Sequence, residues 1–287
     1  MSVSQAAPEF PLLRGRRIRT RIGWVLSIFA FVLVAAPLLD ILILVAARGI
    51  SAVSPQLFLT PTNGISGGLL NAIVGTFVLS GGALIIGVPI GVGGGIYLAE
   101  FGNGSFGTLV RFLSDVLTGI PSIVLGYFSY ITMVIWLGWQ FSALAGAITL
   151  ALMVVPYMAR LTELSLRQVP LSLREAGYAL GAPERKVIFR IVLPPALPGV
   201  LTGALLALAI SVGETAPLIY TAGWSNYVWN GKLTHEPIGY LTYVIWSFIN
   251  QPFASAHALA FAAAFLVVLV VLVINVAART LLFARAG

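Results

Sequence analysis

The chain has 287 residues, of which 59% are hydrophobic and only 9% are charged, with a formal net charge of +7. Soluble domains carry about 25% charged residues, so a soluble enzyme, a disordered chain and a fibrous repeat are excluded. The composition predicts a membrane protein that crosses the bilayer several times. The chain has no cysteine, which excludes thiolate metal sites, and its two histidines do not suffice for a histidine metal cluster.

Six apolar segments are predicted to span the membrane as helices. In chain order they are Ile22–Ala47, Leu69–Ala99, Thr108–Leu137, Phe141–Ala159, Ala196–Thr221 and His257–Phe283. Residues 1–68 are grouped as a basic N-terminus, the first helix and an external loop, residues 69–280 as the transmembrane domain, and residues 281–287 as a tail. The predicted fold class is all-α, a polytopic transmembrane helical bundle with six spans.

The basic residues predict the orientation of these spans. Cytoplasmic loops carry an excess of Lys and Arg. Five arginines directly precede the first segment, namely Arg14, Arg16, Arg17, Arg19 and Arg21. With the N-terminus in the cytoplasm, 14 of the 16 Lys and Arg residues lie on the cytoplasmic side, and only Arg48 and Lys232 lie outside. We therefore expect both termini in the cytoplasm, and no nucleic-acid partner.

Prolines and small residues within the predicted spans indicate helix breaks and close helix packing. Interior prolines kink or break helices, and broken helices line the pathways of many transporters. The prolines are Pro37, Pro89, Pro121, Pro156 and Pro217. Small residues at every fourth position in the second and fifth spans predict close helix packing. The two series are Ala83, Gly87, Gly91, Gly95 and Gly199, Gly203, Ala207, Ser211, Thr215.

Glu214 lies within the predicted fifth span, where a charge is costly and marks either a transport pathway or an ion pair with a partner chain. Ser211 and Thr215 are predicted to flank it on the same helix. Ser122 follows Pro121 in the third span. These three hydroxyls are candidate donors to a passing anion. We take all five residues as candidates for a translocation pathway.

The remaining acids in or near the spans are expected to be paired locally or hydrated. Asp115 lies four residues after Arg111, and this spacing predicts an ion pair on one helix face. Glu163 is expected to pair with its neighbours Arg160 and Arg167. The acids expected to be hydrated at the ends of spans are Asp40 and Glu100.

The predicted external segment Ala222–Ala256 is rich in tryptophan and tyrosine, which are typical of membrane interfaces. Within it, Gly239–Asn250 is predicted to lie as a short interfacial helix. We favour membrane anchoring over docking of an external protein for this segment.

The sequence predicts no ATP site of its own. Its two lysines, Lys186 and Lys232, are followed by Val and Leu, whereas a phosphate-binding loop needs Lys followed by Ser or Thr. Transport would therefore draw energy from a partner or an ion gradient. An intramembrane hydrolase is disfavoured, because no GxSG segment occurs and the acids are scattered over different spans.

The sizeable polar loop, residues 160–195, carries a recognisable motif. Two short helices joined at Gly181 are predicted there, because Pro170 and Pro183 bracket the first stretch and Gly allows a sharp turn. Glu175-Ala176-Gly177, three residues, Gly181, nine residues and Ile191-Val192-Leu193-Pro194 resemble the EAA motif of ABC importer permeases. The resemblance implies that this EAA loop docks into a groove on an ATPase subunit. The implied coupling residues are Glu175, Ala176, Gly177, Gly181, Leu193 and Pro194.

Two shorter segments narrow the resemblance. Gly119–Val124, GIPSIV, and Gly213–Leu218, GETAPL, are similar to segments of the PstA family of phosphate ABC transporter permeases. The resemblance covers residues 69–280. Members of this family often carry an Arg four residues before the Glu of GETAPL, where this chain has Ile210. Attraction of the anion would then come from helix N-termini, hydroxyls or a second membrane subunit.

The resemblance implies a permease subunit of an ATP-driven inorganic phosphate importer in the bacterial cell membrane. It implies four kinds of partner besides membrane lipid. They are a second permease subunit (PstC-like), two ATPase subunits (PstB-like), an external phosphate-binding protein (PstS-like) and inorganic phosphate. No cofactor is expected in this chain, with ATP and Mg bound by the partner subunits.

Two alternatives remain open. One is a permease for another oxyanion, such as molybdate or sulfate. The other is a stand-alone secondary carrier, which internal inverted repeats would support; none is evident in the sequence.

Overall fold

The structure is a computed structural model that describes residues 11–283, with side chains described over residues 19–277 and 279–280. Arg14, Arg16 and Arg17 lie outside the described side chains, as does the predicted tail, residues 281–287. The described part is mostly helical, as predicted. One addition to the all-α prediction is a small antiparallel hairpin in which Thr62 pairs with Gly67.

The elements follow in chain order. They are α1 (Pro11–Ala52), α2 (Pro55–Leu59), β1 (Thr62–Asn63), β2 (Ser66–Gly67), α3 (Leu70–Glu100), α4 (Ser105–Gly119), α5 (Ser122–Ser129), α6 (Ala143–Arg167), α7 (Leu171–Ala179), α8 (Glu184–Val187), α9 (Leu193–Gly213), α10 (Ala216–Thr221), α11 (Leu241–Phe248) and α12 (Ala254–Phe283). Two π-helical stretches complete them, with Tyr130–Trp136 continuing α5 and Ile188–Val192 joining α8 to α9.

Five helical segments in the described chain are long and apolar enough to cross a membrane. They are Arg19–Ala52, Leu70–Glu100, Ala143–Arg167, Glu184–Gly213 and Ala254–Ala277. The third predicted span, Thr108–Leu137, is not one continuous helix. It consists of Ser105–Gly119 and Ser122–Trp136, which are bent by 99°. The physical reason is Pro121, which cannot donate a backbone hydrogen bond and disfavours helical geometry at the residue before it.

Residue contacts divide the chain after Arg48 into two units. The first comprises most of α1. In the second, α3 packs mainly against α6. The predicted domain boundaries at residues 68 and 280 stay predictions, although residues 49–68 belong to the second unit by contact.

The small-residue series are confirmed as packing surfaces. Gly87, Gly91 and Gly95 on α3 are buried. A Cβ built on Gly91 would lie 2.3 Å from Met158 Cβ on α6, so the two backbones approach closely there. On α9, a Cβ on Gly199 would lie 2.2 Å from the Ser165 hydroxyl oxygen, also on α6. The helix α6 is therefore packed between α3 and α9.

The predicted helix within Gly239–Asn250 is confirmed as α11, and its interfacial position stays a prediction. In α11, the side chains of Leu241, Val244 and Phe248 are buried in a core shared with α12. Trp224 stacks on Tyr243 with ring centroids 4.7 Å apart. Trp224 and Tyr243 therefore pack within the fold, whereas Tyr227 and Trp246 are 83% and 51% exposed.

Candidate translocation and coupling sites

The fifth predicted span breaks at Glu214. The helix α9 ends at Gly213, Glu214 is extended with φ −72° and ψ 138°, and α10 begins at Ala216. Ser211 and Thr215 therefore do not flank Glu214 on one continuous helix as predicted. Pro217, in the first turn of α10, lacks the N–H that would continue the helix.

A threonine from another helix satisfies the backbone at this break. The Thr242 hydroxyl, on α11, donates a hydrogen bond to the Glu214 backbone carbonyl at 2.6 Å. An unpaired carbonyl at membrane depth costs several kcal/mol, so this contact is part of what makes the break possible. The sequence did not indicate that Thr242 contributes here, because it lies 28 residues after Glu214.

The two proline breaks lie side by side. A Cβ built on Gly126 in α5 would lie 2.5 Å from the Pro217 Cα atom, so α5 and α10 are in close backbone contact. The Ser122 side chain, at the start of α5, lies close to the Glu214 carboxylate. The structure thus brings together two candidate pathway residues that the sequence separates by more than 90 positions.

The other pathway candidates occupy different surroundings. Pro121 is exposed and caps α5, and Thr215 is half-buried at the break. Ser211 is only 3% exposed on the packed part of α9, and its hydroxyl has no hydrogen-bond partner among the described residues. Next to the breaks, Tyr127 and Tyr220 meet edge to face at 6.0 Å. Sequence reasoning missed these two tyrosines, although each follows a proline break by a few residues.

The EAA loop forms the predicted pair of short helices. The helix α7 follows Pro170, the chain turns at Gly181 with φ +71°, and α8 follows Pro183. Gly177 is buried, and a Cβ there would lie 2.6 Å from the Ile191 Cδ1 atom. Gly181 is therefore favoured by the left-handed turn, whereas a Cβ at Gly177 would require the end of the Ile191 side chain to shift.

The remaining coupling candidates lie on or beside the exposed part of this loop. Glu175 and Ala176 are exposed on α7, and Pro194 is exposed in the first turn of α9. Leu193 is half-buried against a small core that holds the loop to the helices. Leu180, between α7 and α8, is 88% exposed. The loop thus presents its acid and an apolar side chain outward while its base is packed.

An ion pair ties the EAA loop to α3. Arg174 on α7 pairs with both carboxylate oxygens of Glu100, and its Nη2 atom donates to the Leu166 carbonyl at 2.7 Å. The side chains of Arg174 and Glu100 are only 15% and 10% exposed. The expectation that Glu100 is hydrated is therefore wrong, because α7 folds back over the end of α3.

A second cluster of charges joins α4 to α6. Glu163, 2% exposed, accepts from Arg111 Nε at 2.9 Å and pairs with Arg167 at 3.0 Å and Arg160 at 3.5 Å. The predicted local pairing of Glu163 is confirmed. The predicted pair of Arg111 with Asp115 is wrong, because the Arg111 side chain reaches across to α6 and Asp115 is exposed.

Known membrane transport proteins are similar to this chain in sequence. The sequence profile described as "Binding-protein-dependent transport system inner membrane component" matches residues 91–284. The phosphate transport system permease protein PstA 2 of Mycobacterium bovis is 44% identical over 271 residues, which cover 94% of this chain and 90% of that protein. The phosphate transport system permease protein PstA of Yersinia pestis is 44% identical over 270 residues, with coverages of 93% and 90%.

A solved structure shares the fold. It is a chain of the inward-facing MetNI methionine ABC transporter, with a TM-score of 0.62 and 22% identity, covering 81% of this chain and 99% of that chain. At this identity the likeness concerns the fold alone. Together with the sequence matches, it shows that this chain belongs to the family of binding-protein-dependent transport system inner membrane components and, within it, to the PstA permeases.

Proposed function

We propose that this chain is the membrane permease subunit of an ATP-driven importer of inorganic phosphate and forms half of its translocation pathway. The observation that carries the proposal is the 44% identity, over 94% of the chain, to a protein named as a phosphate transport permease. The choice of phosphate over other oxyanions rests on these relatives. The transport class is further supported by the exposed EAA loop and its attachment to α3.

The proposed orientation places both termini and the EAA loop in the cytoplasm of a bacterium, with six spans. It is supported by the distribution of Lys and Arg. The bent pair α4 and α5 then supplies one span, with the arm Ser122–Trp136 directed into the bilayer and α4 lying near its surface. The loop between α10 and α11 would face outward.

The EAA loop would receive the energy of ATP hydrolysis from a pair of ATPase subunits, which hold ATP and Mg. In this scheme Glu175, Ala176 and the exposed Leu180 contact the ATPase. Arg174 then transmits the movement to α3 through Glu100. A largely shielded ion pair suits this role, because breaking it would leave an uncompensated charge, and the two helices therefore move together.

The paired breaks at Pro121 and Pro217 would form the gate. Phosphate near pH 7 still carries a proton and can donate a hydrogen bond to the Glu214 carboxylate, whereas sulfate cannot. A site built around such a hydrogen bond rejects an analogue that lacks it. Ser122 and Thr215 would offer hydroxyl donors. Because Ile210 supplies no cation, positive charge would come from a second, PstC-like permease subunit.

The gate proposal is tested by the variant Glu214→Gln in the reconstituted complex. We expect lower phosphate uptake and a reduced preference for phosphate over sulfate, because the amide accepts more weakly than a carboxylate and its NH2 group can donate to sulfate. Ser122→Ala should also lower phosphate uptake and the preference for phosphate over sulfate, but by a smaller amount. Unchanged uptake and unchanged preference in Glu214→Gln would show that the carboxylate does not line the pathway.

The coupling proposal is tested by comparing two glycines with left-handed backbone geometry. Gly181 has φ +71° and Gly138, outside the EAA loop, has φ +67°, and a Cβ meets no atom within 4 Å at either. Valine at either position introduces similar local strain. We expect Gly181→Val to abolish ATP-dependent phosphate uptake while the chain still inserts, and Gly138→Val to retain most uptake. A stand-alone carrier would respond equally to both.

A further inference from the structure

Three arginines share one carboxylate where α4 meets α6. Glu163 neutralises one of the charges of Arg111, Arg160 and Arg167, so the cluster keeps an excess of two positive charges. Arg111 is held in place, since its Nη1 and Nη2 atoms donate to the carbonyls of Gly102 and Leu98 at 2.8 and 2.9 Å. The excess charge is therefore positioned by the fold.

A cavity of about 460 Å³ opens beside this cluster. The three arginines line it together with Gly102, Asn103, Thr108, Glu163 and Leu164. The side chains of Arg160 and Arg167 are 53% and 47% exposed, so each guanidinium keeps N–H groups directed away from Glu163. Guanidinium groups match the geometry of phosphate oxygens and bind them through two parallel hydrogen bonds.

The helix that forms one wall of the cavity has an exposed apolar face. Thr108 and Arg111 of α4 line the cavity, whereas Leu109, Phe112 and Leu113 of the same helix are 49%, 61% and 49% exposed. The helix α4 is bent by 99° from the arm Ser122–Trp136. With that arm directed into the bilayer, α4 lies along the membrane surface, which is the position of an amphipathic interfacial helix.

We propose that this cavity binds the phosphate headgroup of an anionic phospholipid of the cytoplasmic leaflet, with the acyl chains against the apolar face of α4. The proposal rests on the proposed orientation of the chain. Basic pockets between transmembrane helices on the cytoplasmic side bind such headgroups. Free inorganic phosphate offers the same oxygens, but it would leave the apolar face of α4 without an occupant, so the lipid is favoured.

The bound lipid would hold α4 at the membrane surface. Because α4 leads directly into Ile120 and Pro121, its position sets the direction from which α5 starts. The cavity thus connects the lipid composition of the membrane to the helix that carries Ser122.

The test measures lipid binding to the purified transporter complex by native mass spectrometry in the absence of ATP. Phosphatidylglycerol and phosphatidylcholine are titrated separately, and inorganic phosphate is added as a competitor. Each basic residue near an anionic headgroup strengthens binding about fivefold. We therefore expect the double variant Arg160→Gln with Arg167→Gln to bind phosphatidylglycerol about 25-fold more weakly, and phosphatidylcholine to bind weakly throughout.

The matched control removes two charges elsewhere. Arg185 and Arg190 are exposed within the EAA loop, away from the arginine cluster, and the double variant Arg185→Gln with Arg190→Gln has the same net charge as the test variant. We expect it to retain phosphatidylglycerol binding. The variant Arg160→Lys with Arg167→Lys keeps the charge and the fold and should lose less affinity than the glutamine pair.

Three results would overturn the proposal. Equal losses in the test and control variants would mean that general charge, not the cavity, attracts the lipid. Equal binding of phosphatidylcholine would remove the charge requirement. Displacement of the lipid by millimolar inorganic phosphate would identify the free anion as the occupant. Because no transport is measured, a failure here differs from a failure of the phosphate-import proposal, which would appear as absent uptake.

Discussion

Glu163 is the one buried charged side chain among the residues whose burial is described. Its partners come from two helices, and Arg111 also holds the backbone of the turn between α3 and α4. A buried carboxylate of this kind is stable only while its counter-charges are present. The residue therefore acts as an anchor for the packing of three helices.

We predict that Glu163→Gln destabilises the protein. Breaking a fully buried pair costs about 3–5 kcal/mol, and the partial exposure of the three arginines reduces this to about 1–3 kcal/mol. The thermal midpoint of the detergent-solubilised complex should fall by several degrees. Glu184→Gln, at an exposed acid, serves as control and should leave it unchanged. An unaltered midpoint in Glu163→Gln would show that the cluster does not stabilise the fold.

Glu236, in the loop between α10 and α11, predicts a pH dependence. Hydrogen bonds from Lys232 and Asn230 lower the pKa of Glu236 below its usual value. A lowered pKa in the folded state stabilises the loop above the unfolded value of about 4.3, and this contribution is lost as the pH falls through the folded value.

The fluorescence of Trp229 reports this transition, because its Nε1–H donates to the Lys232 carbonyl at 2.7 Å. We expect a change on acidification below about pH 4.3, and we expect Glu236→Gln to remove it. Asp115→Asn, at an exposed acid on α4, is the control and should retain the change. An identical acid transition in Glu236→Gln would assign it to another group.

At the scale of elements, the contact between α3 and α6 depends on glycines on one helix face only. Gly91 faces Met158 at a distance that leaves no room for a Cβ, whereas Gly93, two residues on, is exposed with no atom within 4 Å of a built Cβ. The pair offers a matched comparison within one helix.

We predict that Gly91→Ala costs about 1–3 kcal/mol, because it forces the two helices apart. Gly93→Ala should be neutral or stabilise by up to about 1 kcal/mol, since alanine favours the helix. Thermal unfolding of the solubilised complex measures both. Similar effects of the two variants would argue against the close backbone contact of α3 with α6.

The prolines show where prediction from sequence stops. Pro89 and Pro156 lie inside continuous helices, while Pro121 and Pro217 stand at breaks. All of them remove a backbone donor in the same way. What differs is the surroundings. At the break before Pro217, the Thr242 hydroxyl of α11 donates to the Glu214 carbonyl and so replaces the donor that a continuous helix would supply. That contact is not local, so the sequence pattern indicated a break but not which proline makes it.

For the whole molecule, the orientation in the membrane has a direct test. The chain contains no cysteine, so single cysteines can be labelled without background. Leu180 in the EAA loop and Tyr227 between α10 and α11 are 88% and 83% exposed. We expect a membrane-impermeant maleimide to label Tyr227→Cys in intact cells, and Leu180→Cys only after permeabilisation. The reverse pattern would invert the proposed topology.

The sequence by itself determined the membrane class, most of the apolar segments, the two glycines of the EAA loop and the family. These follow from composition, local periodicity and short motifs, all of which act over neighbouring residues. The tertiary structure alone decided the 99° bend, the contact of Ser122 with Glu214, and the ion pairs of Arg174 with Glu100 and of Arg111 with Glu163. In a chain with so few charges, a buried charge needs a partner. Local spacing supplies Arg160 and Arg167 to Glu163, but only the fold brings Arg111 to Glu163 and Arg174 to Glu100 from other helices.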